Sequence, residues 1–125
     1  MSFNSPVFND TEPLYIQIAQ WIEDKIVTGQ LRADEQIPST TELSQSLKIN
    51  PATVRKGVSI LVDKGLVYKK RGMGMYVTEN AVANVRDDRR EKFFDDFIVP
   101  LLAEAKRLGI TGEDIIEMLK GGSGK

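Results

Sequence analysis

Residues 39–64 read STTELSQSLKINPATVRKGVSILVDK, with two helix starts at Ser39 and Asn50 and room between them for only one short helix and a tight turn. Ser39 followed by Glu42 is a capping box: the hydroxyl accepts from the Glu42 N–H, and the carboxylate reaches back to the Ser39 N–H. Leu43 and Leu47 give the helix it opens one apolar face. Lys48-Ile49-Asn50 breaks that spacing. Asn50 then acts as a second N-cap, with Pro51 at the first helical position, where its missing N–H costs nothing. Val54, Val58, Leu61 and Val62 repeat at helical spacing, and Gly65 supplies a left-handed stop. Two helices joined this way make a helix-turn-helix, whose second helix offers its N-terminal residues to base edges in a DNA groove. Here those residues are Asn50, Pro51, Ala52, Thr53, Arg55 and Lys56.

Charge is the first check on that reading. The chain has 125 residues and a net charge of −1, which by itself argues against nucleic acid. The distribution argues the other way. Between residues 48 and 71 stand Lys48, Arg55, Lys56, Lys64, Lys69, Lys70 and Arg71 against the single acid Asp63. Phosphates respond to such a local basic surface, whatever the overall charge. There is no cysteine and no histidine, which removes thiol chemistry, the commonest general base and the commonest metal ligand. The paired acids Asp87/Asp88 and Asp95/Asp96 are helical neighbours that point about 100° apart and do not converge on a substrate. No nucleophile–base pair, metal cluster or phosphate loop is present, so no enzyme, cofactor or metal is expected. With no apolar run of membrane-spanning length and no secretory leader at the start, the expected location is the cytoplasm.

The flanking segments extend the motif. Residues 1–11 lack a period and read as a loose arm. From Pro13 to about Thr28, Leu14, Ile18, Trp21, Ile22 and Ile26 mark one face of a helix, with Glu23, Asp24 and Lys25 outside. Trp21 falls on the apolar stripe and is read as core. Residues 30–36 form a polar loop, and Ile37-Pro38 a very short edge strand. After Gly65 the period changes to that of two strands, LVYKK and MYVT, around the turn RGMG. A hairpin directly behind a recognition helix is a wing. Its tip carries Arg71 next to Gly72, a cation where the backbone can approach phosphates or the minor groove. From Ala81 helical character returns. Phe94, Phe97, Ile98, Leu101, Leu102, Ala105 and Leu108 form one apolar stripe, in phase across Pro100, so a kinked helix or two abutting helices are expected, with Phe93 adding to the apolar surface. Thr111 caps a last short helix carrying Ile115, Ile116 and Leu119. Some 40 residues cannot enclose a sizeable ligand, yet these side chains are too apolar to leave in water. They can pack on the N-terminal domain or on a second copy of the chain, and the second copy is the expected cover.

The pieces PLYIQIAQWIEDKIVTGQL (13–31), IPSTTELSQSL (37–47), INPATVRKGVSILVDKGLV (49–67) and KKRGMGMYV (69–77) resemble the GntR family of bacterial transcription regulators. The short tail containing FIVPLLAEAKRLGI (97–110) is similar to that of its YtrA-like subfamily. The resemblance implies a mostly α fold with a small β-hairpin: a winged helix-turn-helix domain over residues 1–79, a helical dimerisation segment over 80–120 and a flexible tail over 121–125. It implies a homodimer that binds an inverted-repeat operator in double-stranded DNA, most often as a repressor. By position, it assigns DNA contacts to Ser39, Asn50, Thr53, Arg55, Arg71 and Gly72. Thr40, Thr41, Pro51, Ala52 and Lys56 complete the expected DNA-facing set. Thr41 departs from the family, which often carries arginine there. Two alternatives stay open. One is the same protein gated by an unidentified small molecule between tail and winged domain. The other is a winged-helix adaptor that binds protein instead of DNA, against which the basic stretch argues.

Overall fold

The computed structural model describes residues 6–121. The elements in order are α1 (Leu14–Val27), α2 (Thr40–Leu47), α3 (Pro51–Asp63), β1 (Val67–Lys70), β2 (Gly74–Val77), α4 (Ala81–Phe93), a π turn (Phe94–Ile98), α5 (Val99–Leu108) and α6 (Gly112–Lys120). They form two compact units, Met1–Asp87 and Asp88–Lys125. The division falls inside α4, because Ala81 and Val85 on its first two turns are buried with the core of the first unit. The expected division at 79/80 follows the end of the hairpin instead. The expected tail at 121–125 lies, beyond Gly121, outside the described residues.

In the first unit the core runs along α1. Ile18, Ile22 and Ile26 are fully buried, and Val54 and Leu61 of α3, Leu43 of α2 and Val67 and Val77 of the hairpin close around them. The apolar periods read from the sequence are therefore the packed faces, with two exceptions. Leu14 and Val62 end the stripes of α1 and α3 and stay exposed. Helix α1 also buries polar side chains that its period places outside. Glu23 is 5% exposed and pairs with Lys64 at the C-terminus of α3, Nζ to Oε2 at 2.8 Å. Lys25 is 6% exposed, with its ammonium 5.3 Å from the centre of the half-buried Trp21 ring.

The arm is more ordered than its sequence suggests. Within residues 6–11, Phe8 packs against the core and the Gln17 side chain holds Asn9 at both ends. Asn9 N–H donates to Gln17 Oε1 at 2.9 Å, and Gln17 Nε2 donates to Asn9 O at 2.9 Å. A glutamine that imitates a strand partner in this way leaves no trace in hydrophobic period. The first five residues of the expected loose arm lie outside the described residues.

β1 and β2 pair antiparallel, Val67 opposite Val77 and Lys70 opposite Gly74. The edge strand expected at Ile37-Pro38 lies slightly earlier: residues 34–37 run beside β2, with Gln36 bridged to Tyr76 and Ile37 N–H donating to Met75 O at 2.9 Å. Leu31 of the expected polar loop is buried, 3% exposed, so that loop also serves the core.

In the second unit, Pro100 sits in the first turn of α5, where a missing N–H is harmless. The chain enters that turn through a π turn, in which Val99 N–H reaches back five residues to Phe94 O. The extra residue separates the helices without breaking the stripe. Thr111 and Asp114 form a complete capping box for α6, at 3.0 Å in both directions.

Candidate nucleic-acid interface

The site begins with two caps. Ser39 Oγ accepts from Glu42 N–H at 3.0 Å, and Ser39 N–H donates to Glu42 Oε1 at 2.8 Å, which fixes the first turn of α2 with Thr40 and Thr41 on it. Asn50 Oδ1 accepts from Ala52 N–H at 2.7 Å and fixes the first turn of α3. Between them the chain turns at Lys48, whose φ is 58°. Ile49 N–H then bonds to Ser44 O at 3.1 Å, and Ser44 Oγ returns a bond to Ile49 O at 2.6 Å. Gly65 and Gly109 occupy the equivalent position behind α3 and α5, with φ of 74° and 70°. A lysine there costs roughly 1 kcal/mol more than glycine, a strain compatible with a cation wanted in the turn.

The start of α3 is open to solvent. Pro51, Ala52, Arg55 and Lys56 are exposed, and Thr53 is half-buried. Val54, Gly57, Val58 and Leu61 on the opposite side anchor the helix. Gly57 lets it lie close: a Cβ at that position would stand 2.8 Å from Tyr15 O.

The basic stretch is not one uniform surface. Lys64 is taken by Glu23. Lys56 Nζ lies 4.1 Å from the centre of the Tyr15 ring on α1, and Lys70 Nζ lies 5.1 Å from the Tyr76 ring. The side chains of Arg55, Lys48, Lys69 and Arg71 are exposed and show no hydrogen bond, ion pair or ring contact among the described residues. Arg55 is thus the cation best presented by α3. Lys56, expected beside it, is turned toward α1.

Arg71 and Gly72 stand at the exposed wing tip, where Gly72 has φ 73° and Met73 N–H closes the turn on Lys70 O at 2.8 Å. Behind the tip, Tyr68 stacks on Tyr76 with centroids 5.9 Å apart. Tyr68 OH donates to Asp34 Oδ1 at 3.1 Å. Desolvation and then this bond to a carboxylate raise the Tyr68 pKa, so the phenol stays neutral. Sequence reasoning missed Tyr15, Asp34 and Gln36, because each acts through a partner more than 25 residues away, and it missed the Tyr68–Tyr76 pair, which depends on the register of the hairpin. No group of side chains able to hold a metal ion occurs among the described residues.

The expected dimer side chains lie in the second unit. Phe93, Phe94, Phe97, Leu101 and Leu102 are exposed, Phe97 at 63%, and Phe93 and Phe97 touch with centroids 5.5 Å apart. Ile98 is half-buried. Ala105 is already 8% exposed in the single chain and has little surface left to give a partner.

Comparison with known proteins converges on one group. Residues 14–77 match the family described as bacterial regulatory proteins, gntR family. The transcriptional repressor YtrA of Bacillus subtilis is 28% identical over 108 residues, which span 86% of this chain and 82% of that protein. The structure of a GntR family transcriptional regulator from Listeria monocytogenes superposes with a TM-score of 0.75 at 33% identity, over 91% of this chain and 98% of that one. The DNA-binding domain of AraR, solved in complex with operator ORE1, is similar over 61% of this chain and 94% of that one, at TM-score 0.53 and 32% identity.

Proposed function

The chain belongs to the GntR family of bacterial transcriptional regulators, and from that membership we propose that it is a homodimeric repressor that reads an inverted-repeat operator through α3 and the wing. It is a winged-helix DNA-binding regulator and not an enzyme. The observation that carries the finer reading is the start of α3: a capped, exposed turn presenting Arg55 with no intramolecular partner among the described residues. The Arg55 fork suits the O6/N7 edge of guanine, and the exposed cations of the turn and wing suit phosphates. Likeness to the AraR domain, solved on its operator, supports the same use of this surface.

The homodimer rests on the second unit. Its exposed phenylalanines and leucines are more apolar surface than a monomer usually leaves in water. A two-fold pair of winged domains places two recognition helices about one DNA turn apart. Repression follows the relative YtrA, which is described as a transcriptional repressor. No helix among the described residues is long and apolar enough to cross a membrane, and the cytoplasm is the proposed location.

The test is selection of random duplex DNA by the purified protein. Enrichment of an inverted repeat is expected. A single half-site would remove the homodimer, and no enrichment at low salt would remove the DNA reading of α3.

A further inference from the structure

We infer that Gln36 is a positioning residue for the wing: its carboxamide holds the tip, and Arg71 with it, ready for the phosphate backbone. The inference rests on the DNA reading of the wing and adds the device that keeps the wing in place.

The wing is a hairpin of two four-residue strands. Such a hairpin is marginal in water without further support. Support comes from residues 34–37 along the free edge of β2. Asp34 N–H donates to Val77 O at 2.8 Å, Val77 N–H to Glu35 O at 2.9 Å and Ile37 N–H to Met75 O at 2.9 Å. These backbone bonds end at Met75, short of the tip.

The Gln36 side chain covers the remaining distance. Its Nε2 donates to Met73 O at 2.8 Å. Met73 N–H is already spent on Lys70 O within the turn. Met73 is thus tied on both sides, its N–H inward to the turn and its carbonyl outward to Gln36. No other side-chain hydrogen bond reaches residues 71–73 among the described residues.

Gly74 is the complementary half of the device. It has φ 104°, and a Cβ there would stand 2.7 Å from Gln36 Nε2. The glycine therefore serves two needs, a left-handed backbone and an open notch in which the amide lies. The same strip runs on through Pro38 to Ser39, the cap of α2. One short segment thus references both the wing and the first turn of the helix-turn-helix. An anchored tip has less conformational freedom to lose when Arg71 meets a phosphate, and affinity gains accordingly.

The experiment is a double-mutant cycle on the full chain, with Gln36→Leu, Arg71→Ala and both together. Affinity for the selected operator duplex is read by fluorescence anisotropy at several salt concentrations. Loss of one exposed hydrogen bond should weaken binding about threefold in Gln36→Leu. The same change on the Arg71→Ala background should have no further effect, because the amide acts through that cation. Equal loss on both backgrounds, or none on either, overturns the positioning role. A second arm needs no DNA: 15N relaxation of the Gly72 and Gly74 amides in the free proteins. Gln36→Leu should lower their order parameters from rigid values near ~0.85 toward ~0.6. Unchanged order parameters overturn the strut. A wild-type chain that selects no duplex overturns the DNA reading instead, and the relaxation arm then decides the strut alone.

Discussion

Gly57→Ala tests whether the aim of the recognition helix is set by its closeness to α1. An alanine Cβ at 57 would stand 2.8 Å from the Tyr15 carbonyl oxygen, and 3.1 and 3.2 Å from Ile18 Cγ2 and Cβ. Relaxed carbon contacts lie near ~3.5 Å or beyond, so the helices must part by several tenths of an ångström. Overpacking of this kind costs about 1–3 kcal/mol. Alanine recovers about 1 kcal/mol through its better helix propensity. The oxygen belongs to backbone inside α1 and cannot swing aside, so the upper half of the range applies and the net loss is about 1–2 kcal/mol. For a cooperative unit of this size that lowers Tm by roughly 4–15 °C. Operator affinity should fall as well, because α3 carries Arg55 with it when it shifts. Gly112→Ala is the control: the position is helical, nothing lies within 4 Å, and the effect should be neutral or slightly stabilising. Calorimetry and anisotropy on both variants give the answer. A Gly57→Ala protein with raised Tm and unchanged DNA affinity would mean that the two helices do not touch there.

Four further outcomes are expected. Arg55→Ala should weaken operator binding by about 1–3 kcal/mol and relax one base position, whereas a uniform loss across sequences would reassign it to phosphate. Lys56→Ala should cost about 0.5–1 kcal/mol of stability through the lost Tyr15 contact, with little change in operator choice. Phe97→Asp puts a charge into the exposed apolar face of the second unit and should give a monomer by light scattering that still folds. Backbone and side-chain bonds from Thr111 hold the Asp114 pKa below its ordinary value, so its support for α6 is present above that value and fades as pH falls through the depressed one. Thr111 and Asp114 amide shifts followed below about pH 5 should report fraying that Asp114→Asn no longer titrates.

The parts of this molecule that could be read from the sequence are those whose cause is local. Ser39 and Glu42, Asn50 and Pro51, Gly65 and Gly109, and Thr111 and Asp114 each declare a helix end within a few residues, and each stands where the caps predict. The stripe Ile18, Ile22 and Ile26 gives the core face for the same reason. What stayed hidden depends on partners far along the chain. Glu23 looks like a solvated acid until Lys64 arrives 41 residues later. Lys56 looks like a DNA cation until α1 brings Tyr15 beside it. Gln36 looks like loop filler until the wing folds back over it. Pro100 announced an interruption, but the π turn that absorbs it depends on which carbonyl Val99 finds, and no local signal selects Phe94.

This redistribution of charge changes what the DNA-binding surface is expected to do. Seven cations occupy residues 48–71, and if all met phosphate, a dimer would show a salt slope near about −13. Three of the seven are engaged within the fold: Lys56 on Tyr15, Lys64 on Glu23 and Lys70 on Tyr76. Lys48, Arg55, Lys69 and Arg71 remain, and two copies of these four give a slope of about −7, or shallower if Arg55 reads a base. The engaged lysines are not wasted. Lys56 and Lys64 tie α3 to α1, and Lys70 ties the two strands of the wing to each other, so part of the basic stretch steadies the remainder. A plot of log affinity against log salt separates the two pictures. A slope near −13 would mean that the intramolecular contacts release their lysines on binding, and that the aim of α3 and the wing is set on the DNA and not beforehand.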